Sequence, residues 1–291
     1  MRAQTDAVVA DGKLIVDSSR DFSYTGYMRN RASGTGGLLL FEKRGTGTQT
    51  LVGSVLTFTG DTTISGGTLQ LRDAAAWASR IINNSVLVLE ETTTRTHNRD
   101  IIGTGSLIKQ GTGSLTLAGG LNMSYQGSTT VEGGSLTVAS PLSGSTVLRV
   151  LNSGSSLAIP GGITNAAAVT TVVVENGATL SLLDGAGNKL SGLTTLQLGS
   201  FGGTNTTLSL NAGDGNTEGD NLNTDLLTLL SGGKLSLFAG NKVTFNLTDT
   251  GLNAGRTYTL LNVINGGLLS GPLARLTMCS ERSPADSRRS R

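Results

Sequence analysis

A short alternation of apolar and polar residues recurs along this chain. Each copy has a Gly-containing bend, a small or polar residue, and then Leu, any residue, and Leu, Val or Ile. The clearest copies are SGGTLQL (65–71), EGGSLTV (132–138), SGSSLAI (153–159), NGATLSL (176–182) and SGGKLSL (231–237). The alternation is typical of a half-buried strand with inward leucines, and glycine lets the chain bend before it. The pattern therefore predicts many short strands separated by tight turns.

The spacing of these copies indicates how the strands are arranged. The copies that start at 132, 153 and 176 are roughly 22 residues apart, and a period of that size is typical of a solenoid. We predict an all-β chain folded as a right-handed parallel β-helix of about 22-residue coils, with about twelve coils in a rod on the order of 55–60 Å long. An antiparallel sandwich or barrel is the competing architecture, because it also contains many short strands. The segment DAAAWASRI (73–81) breaks the pattern, as either a helical turn or a corner.

A longer phrase occurs twice, as KRGTGTQTLVGSVLTFTGDTTISGGTLQL (43–71) and KQGTGSLTLAGGLNMSYQGSTTVEGGSLTV (109–138). The second copy starts about three coil intervals after the first. In both copies we expect glycines to turn the chain and the apolar residues to fill the coil. These structural repeat residues are Gly66, Gly67, Leu69, Leu71, Gly133, Gly134, Leu136 and Val138.

Composition supports a β architecture. Glycine contributes 42 of 291 residues, charged residues only 14% and aromatic residues 4%. Equivalent residues of stacked coils lie in ladders where like charges repel, so Thr, Ser and Asn suit the outer positions. The net charge is +2, and its excess lies at 275–291, where five arginines accompany two acids. Of the 22 basic and 20 acidic residues in the chain, residues 1–274 carry 17 and 18, so no net basic charge is left for one face. The sequence therefore predicts no nucleic-acid partner.

The single cysteine, Cys279, and the single histidine, His97, limit the metal and nucleophile chemistry. A Ser-His-Asp triad needs that histidine, but a loop histidine between two strands is the simpler interpretation. Neither a disulfide framework nor a typical zinc site is expected. No apolar run is long enough for a transmembrane helix, so no membrane insertion by this chain is expected.

The segment DGNTEGDNLNTD (214–225) imitates a calcium-binding EF-hand loop. Its ligand positions are occupied by Asp214, Asn216, Glu218 and Asp225, which makes them a weak calcium candidate. No amphipathic helix flanks the segment, and Asp replaces the usual bidentate Glu at the last position. A polar surface loop is the alternative interpretation of this segment. We predict no cofactor, and no metal site other than this weak calcium candidate.

Catalytic and phosphate-binding motifs are not evident. The GTGS and GTGT stretches lack the third glycine of a dinucleotide loop and the Gly-Lys-Ser/Thr of a P-loop, and they recur as corners of the repeat. A β-helix can carry carboxylates that cleave polysaccharides, but Asp61 aligns with Ser128 and Glu132 with Ser65. No acid therefore recurs between the copies, and we predict no catalytic residues and no enzyme activity.

The segment GTGSLIKQGTGSLTLAGGLNMSYQGSTTVEGGSLTV (103–138) resembles the autotransporter-associated β-strand repeat of bacterial type V secretion passenger domains. The copy at 43–71 and the stretch 222–267 are similar to such passengers too, so the resemblance spans about residues 30–271. It implies a β-helical passenger at the cell surface or outer membrane, or secreted. Implied partners are host or neighbouring-cell surface ligands and, in a full-length relative, a translocator barrel.

The ends of the chain depart from that family's pattern. Neither a signal peptide nor a C-terminal membrane barrel is evident, which predicts a fragment or a frame-shifted reading of a longer gene. We divide the chain into a degenerate or partial N-terminal coil (1–30), a passenger-like β-helix with the repeats at 43–71 and 109–138 (31–272) and a disordered or foreign-frame tail (273–291). The predicted function is a non-enzymatic stalk or adhesion scaffold. A polysaccharide-acting enzyme and a truncated product without its own function are the alternatives.

Overall fold

The fold is taken from a computed structural model of the chain. It describes residues 11–30, 37–53, 55–74, 76–184, 189–200, 205–212, 226–237, 243–249, 261–263, 268–270 and 277–279. Within these ranges the regular structure is short β-strands and one 3₁₀ helix, Ala166–Ala168. No helix in the described ranges is long and apolar enough to cross a membrane.

The strands form three faces, and the chain visits each face once per coil. The first face contains β1 (Gly12–Asp17), β3 (Leu39–Arg44), β6 (Thr62–Ile64), β9 (Ile81–Asn83) and β12 (Ile101–Ile102), and the single bridging residues Met123, Leu142 and Ile163 extend it. The second contains β2 (Phe22–Tyr24), β4 (Thr48–Val52), β7 (Thr68–Arg72), β10 (Val86–Glu90), β13 (Ser106–Gln110), β15 (Ser128–Val131), β17 (Val147–Val150), β19 (Thr171–Val174), β21 (Lys189–Leu198), β23 (Leu226–Leu237) and β26 (Leu268–Ser270). The third contains β5 (Val55–Leu56), β8 (Ala76–Trp77), β11 (Arg95–His97), β14 (Ser114–Leu117), β16 (Ser135–Val138), β18 (Ser156–Ala158), β20 (Thr179–Ser181), β22 (Thr206–Ala212), β24 (Val243–Asp249) and β27 (Thr277–Cys279).

Every described strand pairing is parallel, and each strand pairs with the equivalent strand of the next coil. The second face alone stacks eleven successive coils, from β2 to β26. In β21 and β23 the first and second faces merge into one longer strand, with register shifts at Leu190–Leu193 and Leu193–Thr195. The first-face half of β23 pairs with β25 (Leu261–Val263), and its second-face half pairs with β26. The prediction of a parallel β-solenoid is confirmed, and the antiparallel alternative is wrong.

The interior consists of ladders of side chains that alternate with outward ones. On the second face Leu69, Leu87 and Leu107 stack directly on one another, and all three are fully buried. The outward residues between them are mostly uncharged. Where charges meet they are complementary, because Glu90 Oε2 accepts from Arg72 Nε at 2.7 Å and from Gln70 Nε2 at 2.6 Å. The ladder geometry thus explains why so few charges occur.

Three of the five clear copies of the short phrase, 132–138, 153–159 and 176–182, lie in register on the third face, whereas 65–71 and 231–237 lie on the second. Ser135, Ser156, Thr179 and Thr207 form one ladder, and Leu136, Leu157, Leu180 and Leu208 form the next. All four leucines are fully buried. The phrase that recurs in the sequence is therefore one strand and its entry corner, and it occurs on two of the three faces.

The two long repeats do not occupy equivalent faces. Lys43, at the start of the first copy, lies in β3 on the first face, whereas Lys109 lies in β13 on the second. The copies are therefore separated by three coils and one further face. This separation exceeds the expected three coil intervals by one face of a coil. The reason is that the coils between them are short, because the stacked residues Leu69, Leu87 and Leu107 follow one another at less than the predicted coil length.

The third face contains a break between β8 and β11. In the described chain β8 pairs only with β5, and β11 pairs only with β14, so the two sheets do not continue into each other. The segment around Trp77 that the sequence left open between a helical turn and a corner is a corner at Asp73, with a φ of 47°, followed by β8. The break leaves a recess in the side of the solenoid.

Candidate functional site

Lys109 is charged yet lies inside the solenoid. It occupies the inner ladder of the second face between Leu89 and Val131, and it is fully buried. Its ammonium lies within hydrogen-bonding distance of four corner carbonyls. Lys109 Nζ is 2.6 Å from the oxygen of Gln110, 3.1 Å from Gly111, 3.0 Å from Gly113 and 3.2 Å from Gly133. The buried cation is therefore compensated by backbone dipoles rather than by a facing carboxylate.

Lys43 repeats this arrangement in the first copy. It lies in the inner ladder of the first face between Val16 and Ile64, and its side chain is almost fully buried. Its Nζ donates to the carbonyl oxygens of Arg44, Gly45 (3.1 Å) and Gly66 (3.3 Å). We call Lys43 and Lys109, with the corner carbonyls that surround each ammonium, the lysine corners.

Burial lowers the pKa of both lysines, and nearby carboxylates oppose this effect. Asp17 and Asp21 act on Lys43, and Glu91 is the strongest such group at Lys109. Each lysine joins two coils, because its ammonium binds carbonyls of its own corner and of the corner one coil above. The lysine corners are therefore structural sites that fix the stacking of adjacent coils.

The second glycine of each Gly-Gly corner has no room for a side chain. Gly134 has a φ of 60°, and a Cβ there would lie 2.2 Å from the carbonyl oxygen of Gly113 and 2.8 Å from that of Gly111. At Gly67, with a φ of 62°, a Cβ would lie 2.5 Å from the Gly45 oxygen and 2.9 Å from Lys43 Nζ. The predicted repeat glycines thus close over the carbonyls that bind the lysine, while Leu69, Leu71, Leu136 and Val138 are buried below them.

Sequence reasoning aligned Lys43 with Lys109 but assigned them no role. A signal was present, because each lysine follows two residues after an apolar residue, Phe41 or Leu107, on the same side of its strand. Both of these apolar residues are fully buried. Period-two alternation alone would have placed the two lysines inside.

A pocket of about 280 Å³ occupies the break in the third face. Its apolar wall comes from the inner ladder of the second face and from β8, and its polar wall from the corner after β10 and from β11. The lining residues are Leu71, Ala74, Ala76, Trp77, Leu89, Glu91, Thr94, Arg95, Thr96, His97 and Leu115. Thr94 and Thr96 are exposed, so the pocket opens beside them.

Glu91 and Arg95 form an ion pair in this pocket. Glu91 Oε2 lies 2.8 Å from Arg95 Nε, but neither atom has a hydrogen bond of acceptable geometry. Burial raises the pKa of Glu91 to about 7, against the opposing charge of Arg95. Asp73 raises that pKa further and Lys109 lowers it. This carboxyl therefore changes its protonation state close to neutral pH.

His97 is the other buried polar residue of the pocket. Only 7% of it is exposed, and its Nε2 has no hydrogen-bond partner. Burial lowers the pKa of His97 to about 4, the charge of Arg99 acts in the same direction, and a hydrogen bond to the Arg99 backbone opposes both. The imidazole is therefore neutral at pH 7. His97 lies in β11 with an inward side chain, so its assignment to a loop between strands is wrong.

The described lining of the pocket lacks the facing pair of carboxylates that glycoside hydrolysis generally uses. Among its described lining residues Glu91 alone carries a carboxylate. Asp73 lies near Glu91, but its oxygens accept from the backbone N–H and the hydroxyl of Thr92 at 2.8 to 3.1 Å. These bonds lower the pKa of Asp73, and the bond from the backbone N–H of Thr92 has the largest effect.

The calcium candidate Asp214, Asn216, Glu218 and Asp225 lies outside the described residues. In the part of the chain that the structure describes, no group of three or more His, Cys, Asp or Glu residues is placed to bind a metal ion.

Comparison with known proteins identifies the long repeat. Residues 41–71 and 107–138 match the family model of the passenger-associated-transport-repeat. Each match begins two residues before a buried lysine and ends at the last inward residue of the strand after the Gly-Gly corner. No curated protein and no solved structure is significantly similar to the chain. The chain thus carries two passenger-associated-transport repeats on a parallel β-solenoid, as expected of an autotransporter passenger domain.

Proposed function

We propose that this chain is a non-enzymatic β-solenoid segment of an autotransporter-like protein, and that it acts as a stalk or a scaffold for adhesion and presentation. The observation that carries the proposal is the uninterrupted second face, which stacks eleven coils in parallel register. Backbone hydrogen bonds and a continuous apolar core join each coil to the next. Such an array holds its two ends at a fixed distance, and it presents corners and outer ladders at regular intervals.

The passenger repeats support a location at the cell surface, in the outer membrane or in the secreted fraction, since the matched repeat is named for the transport of passengers. On this proposal the partners are ligands on host or neighbouring cells, and a translocator barrel serves a full-length relative. The lysine corners fit the role, because they stabilise coil stacking without exposing reactive groups.

A display experiment tests the scaffold role. The chain is placed between a bacterial surface anchor and an epitope tag, with and without residues 136–156. That deletion joins Ser135 directly to Leu157, whose register partner is Leu136, and it removes one coil in phase. A scaffold tolerates the loss, so epitope exposure should be unchanged, whereas deletion of 136–145, which breaks the register, should abolish it. Equal exposure in both deletions would contradict the proposal.

The competing polysaccharide-acting enzyme is tested on the same purified chain. Reducing ends are measured after incubation with bacterial surface polysaccharides and plant polysaccharides, beside the Glu91→Gln variant. We expect no reducing ends above the background in either sample. Release that requires Glu91 would replace the scaffold proposal with hydrolysis. A chain that neither presents the epitope nor releases sugar would support the truncated product without its own function.

A further inference from the structure

The pocket in the third face has polar residues where the fold otherwise uses leucine. Arg95 and His97 of β11 are register partners of Leu115 and Leu117 of β14. Leucine at both places would continue the ladder and bury no unpaired polar atom. The chain instead directs a guanidinium and an imidazole inward, beside the buried carboxyl of Glu91.

Three buried polar atoms of this pocket have no hydrogen-bond partner, and their chemistry restricts the kind of ligand that could bind. Because Nε2 of His97 is the unpartnered nitrogen, the bond to the Arg99 backbone is made by Nδ1. In the neutral imidazole Nδ1 then carries the proton, and Nε2 is an acceptor. Glu91 Oε2 is a second acceptor, and Arg95 Nε is a donor. A ligand must therefore supply at least two donors and one acceptor.

Hydroxyl groups meet this requirement better than charged groups do. Acetate has only acceptors for Glu91 and His97, a phosphate ion would bring one or two negative charges beside the Glu91 carboxyl, and an ammonium group would be repelled by Arg95. Vicinal hydroxyls donate and accept at the same time. The opposite wall is apolar, with Trp77, Leu71 and Leu89, and it suits the C–H face of a ring. The volume of about 280 Å³ lies just below the range for drug-sized ligands, so it fits one ring.

We propose that the pocket between β8 and β11 binds one neutral sugar ring through Glu91, Arg95 and His97, with Trp77 in the apolar wall. A free hexose and the end residue of a glycan both offer this chemistry. The site does not depend on the stalk role, because it would operate on any β-solenoid with the same break.

The chain offers a built-in reporter for this site, because Trp77 is its single tryptophan. We would titrate the full chain with free hexoses and, separately, with methyl hexosides, and follow the fluorescence of Trp77. Sodium phosphate and sodium acetate form the comparison set. At least one hexose or methyl hexoside should give a saturable change in the millimolar range, and the comparison set should give none. Binding of the methyl hexoside as well as the free sugar would identify a glycan end as an acceptable source.

Two substitutions and one control make the result specific. His97→Leu and Arg95→Leu restore the residue type of the neighbouring coil, so the chain should stay folded, and affinity should fall at least tenfold. Arg149→Gln, on an exposed position of β17 far from the pocket, should leave affinity within twofold. The proposal is overturned if no sugar changes the fluorescence up to about 100 mM, or if the two leucine variants bind as the parent does. Saturable binding of phosphate or acetate instead would also overturn it.

Discussion

Lys109 shows at the scale of one residue how the repeat manages a buried charge. Its register neighbours are apolar, yet its ammonium faces four carbonyl oxygens at 2.6 to 3.2 Å. Removing one partner from such a group leaves the others desolvated and unpaired, which usually costs more than the bond itself contributes. We therefore expect the stability of this corner to depend on Lys109.

Replacement of Lys109 by Met tests this. Methionine keeps the apolar stem but removes the donors, so the free energy of unfolding should fall by about 2–4 kcal/mol. Urea denaturation measures the loss. Lys234→Met, at an exposed position of β23, is the matched control and should change stability by less than about 0.5 kcal/mol. A loss in the control as large as that at Lys109 would contradict the structural role.

Glu91 and His97 should give the pocket opposite responses to pH. The pKa of Glu91 rises from 4.5 to about 7, so its contribution to stability is complete below pH 4.5 and is lost as pH rises to 7. The pKa of His97 falls from 6.5 to about 4, so its contribution is complete above pH 6.5 and is lost as pH falls to 4. Each effect is on the order of 3 kcal/mol, and the two oppose each other between pH 4.5 and 6.5.

Single variants should separate these two slopes. From pH 4.5 to 6.5 the stability of His97→Leu should fall, because only the Glu91 effect remains, whereas that of Glu91→Gln should rise. Urea unfolding followed by Trp77 fluorescence gives both profiles. Slopes of the same sign in the two variants would show that Glu91 and His97 do not determine how stability changes with pH in this range.

These residues also mark where sequence reasoning stops. The alternation around Arg95 and His97 matches the strand pattern, but the polar residues stand where leucine is usual, so the sequence did not identify β11. Their inward direction follows only from the register with β14, which no local signal supplies. The burial of Lys43 and Lys109 could have been predicted, because each lysine lies two residues after an apolar residue and therefore on the same side of its strand.

At the scale of the corner, stacking space and backbone conformation make separate demands on glycine. Gly134 and Gly120 both have left-handed φ values, 60° and 77°. A Cβ at Gly134 would meet the carbonyl oxygen of Gly113 at 2.2 Å, whereas a Cβ at Gly120 would meet nothing within 4 Å. The two positions lie in the same repeat, so they separate the clash from the conformational cost.

Alanine at each position gives the prediction. Gly120→Ala should cost about 1 kcal/mol, which is the usual penalty of a left-handed alanine. Gly134→Ala should cost at least about 2 kcal/mol more, because the coil below must shift and the carbonyls around Lys109 shift with it. Thermal or urea unfolding measures both variants. Equal losses would mean that coil stacking does not constrain the corner.

At the scale of the whole molecule, the sequence predicted the architecture but not the phase of the repeats. Leu-x-Leu alternation, recurrent glycine corners and a regular period identify stacked parallel coils. The extra face between the two long repeats was hidden, because coil length varies along the second face. The stacked pair Leu69 and Leu87 lies closer together in sequence than the stacked pair Leu148 and Val172. The break between β8 and β11 has no sequence signal either, since it depends on which strands pair.

The most direct test of the stacked-coil account is a pair of distances along one outer ladder. Gln70, Arg149 and Gln197 lie in equivalent positions of β7, β17 and β21 on the second face. With Cys279 replaced by Ser, cysteines at these positions accept spin labels on an otherwise cysteine-free chain. Pulsed electron paramagnetic resonance should give about 19 Å for Gln70–Arg149, four coils apart, and about 29 Å for Gln70–Gln197, six coils apart. Distances that do not increase with the number of coils in this ratio would contradict the parallel solenoid.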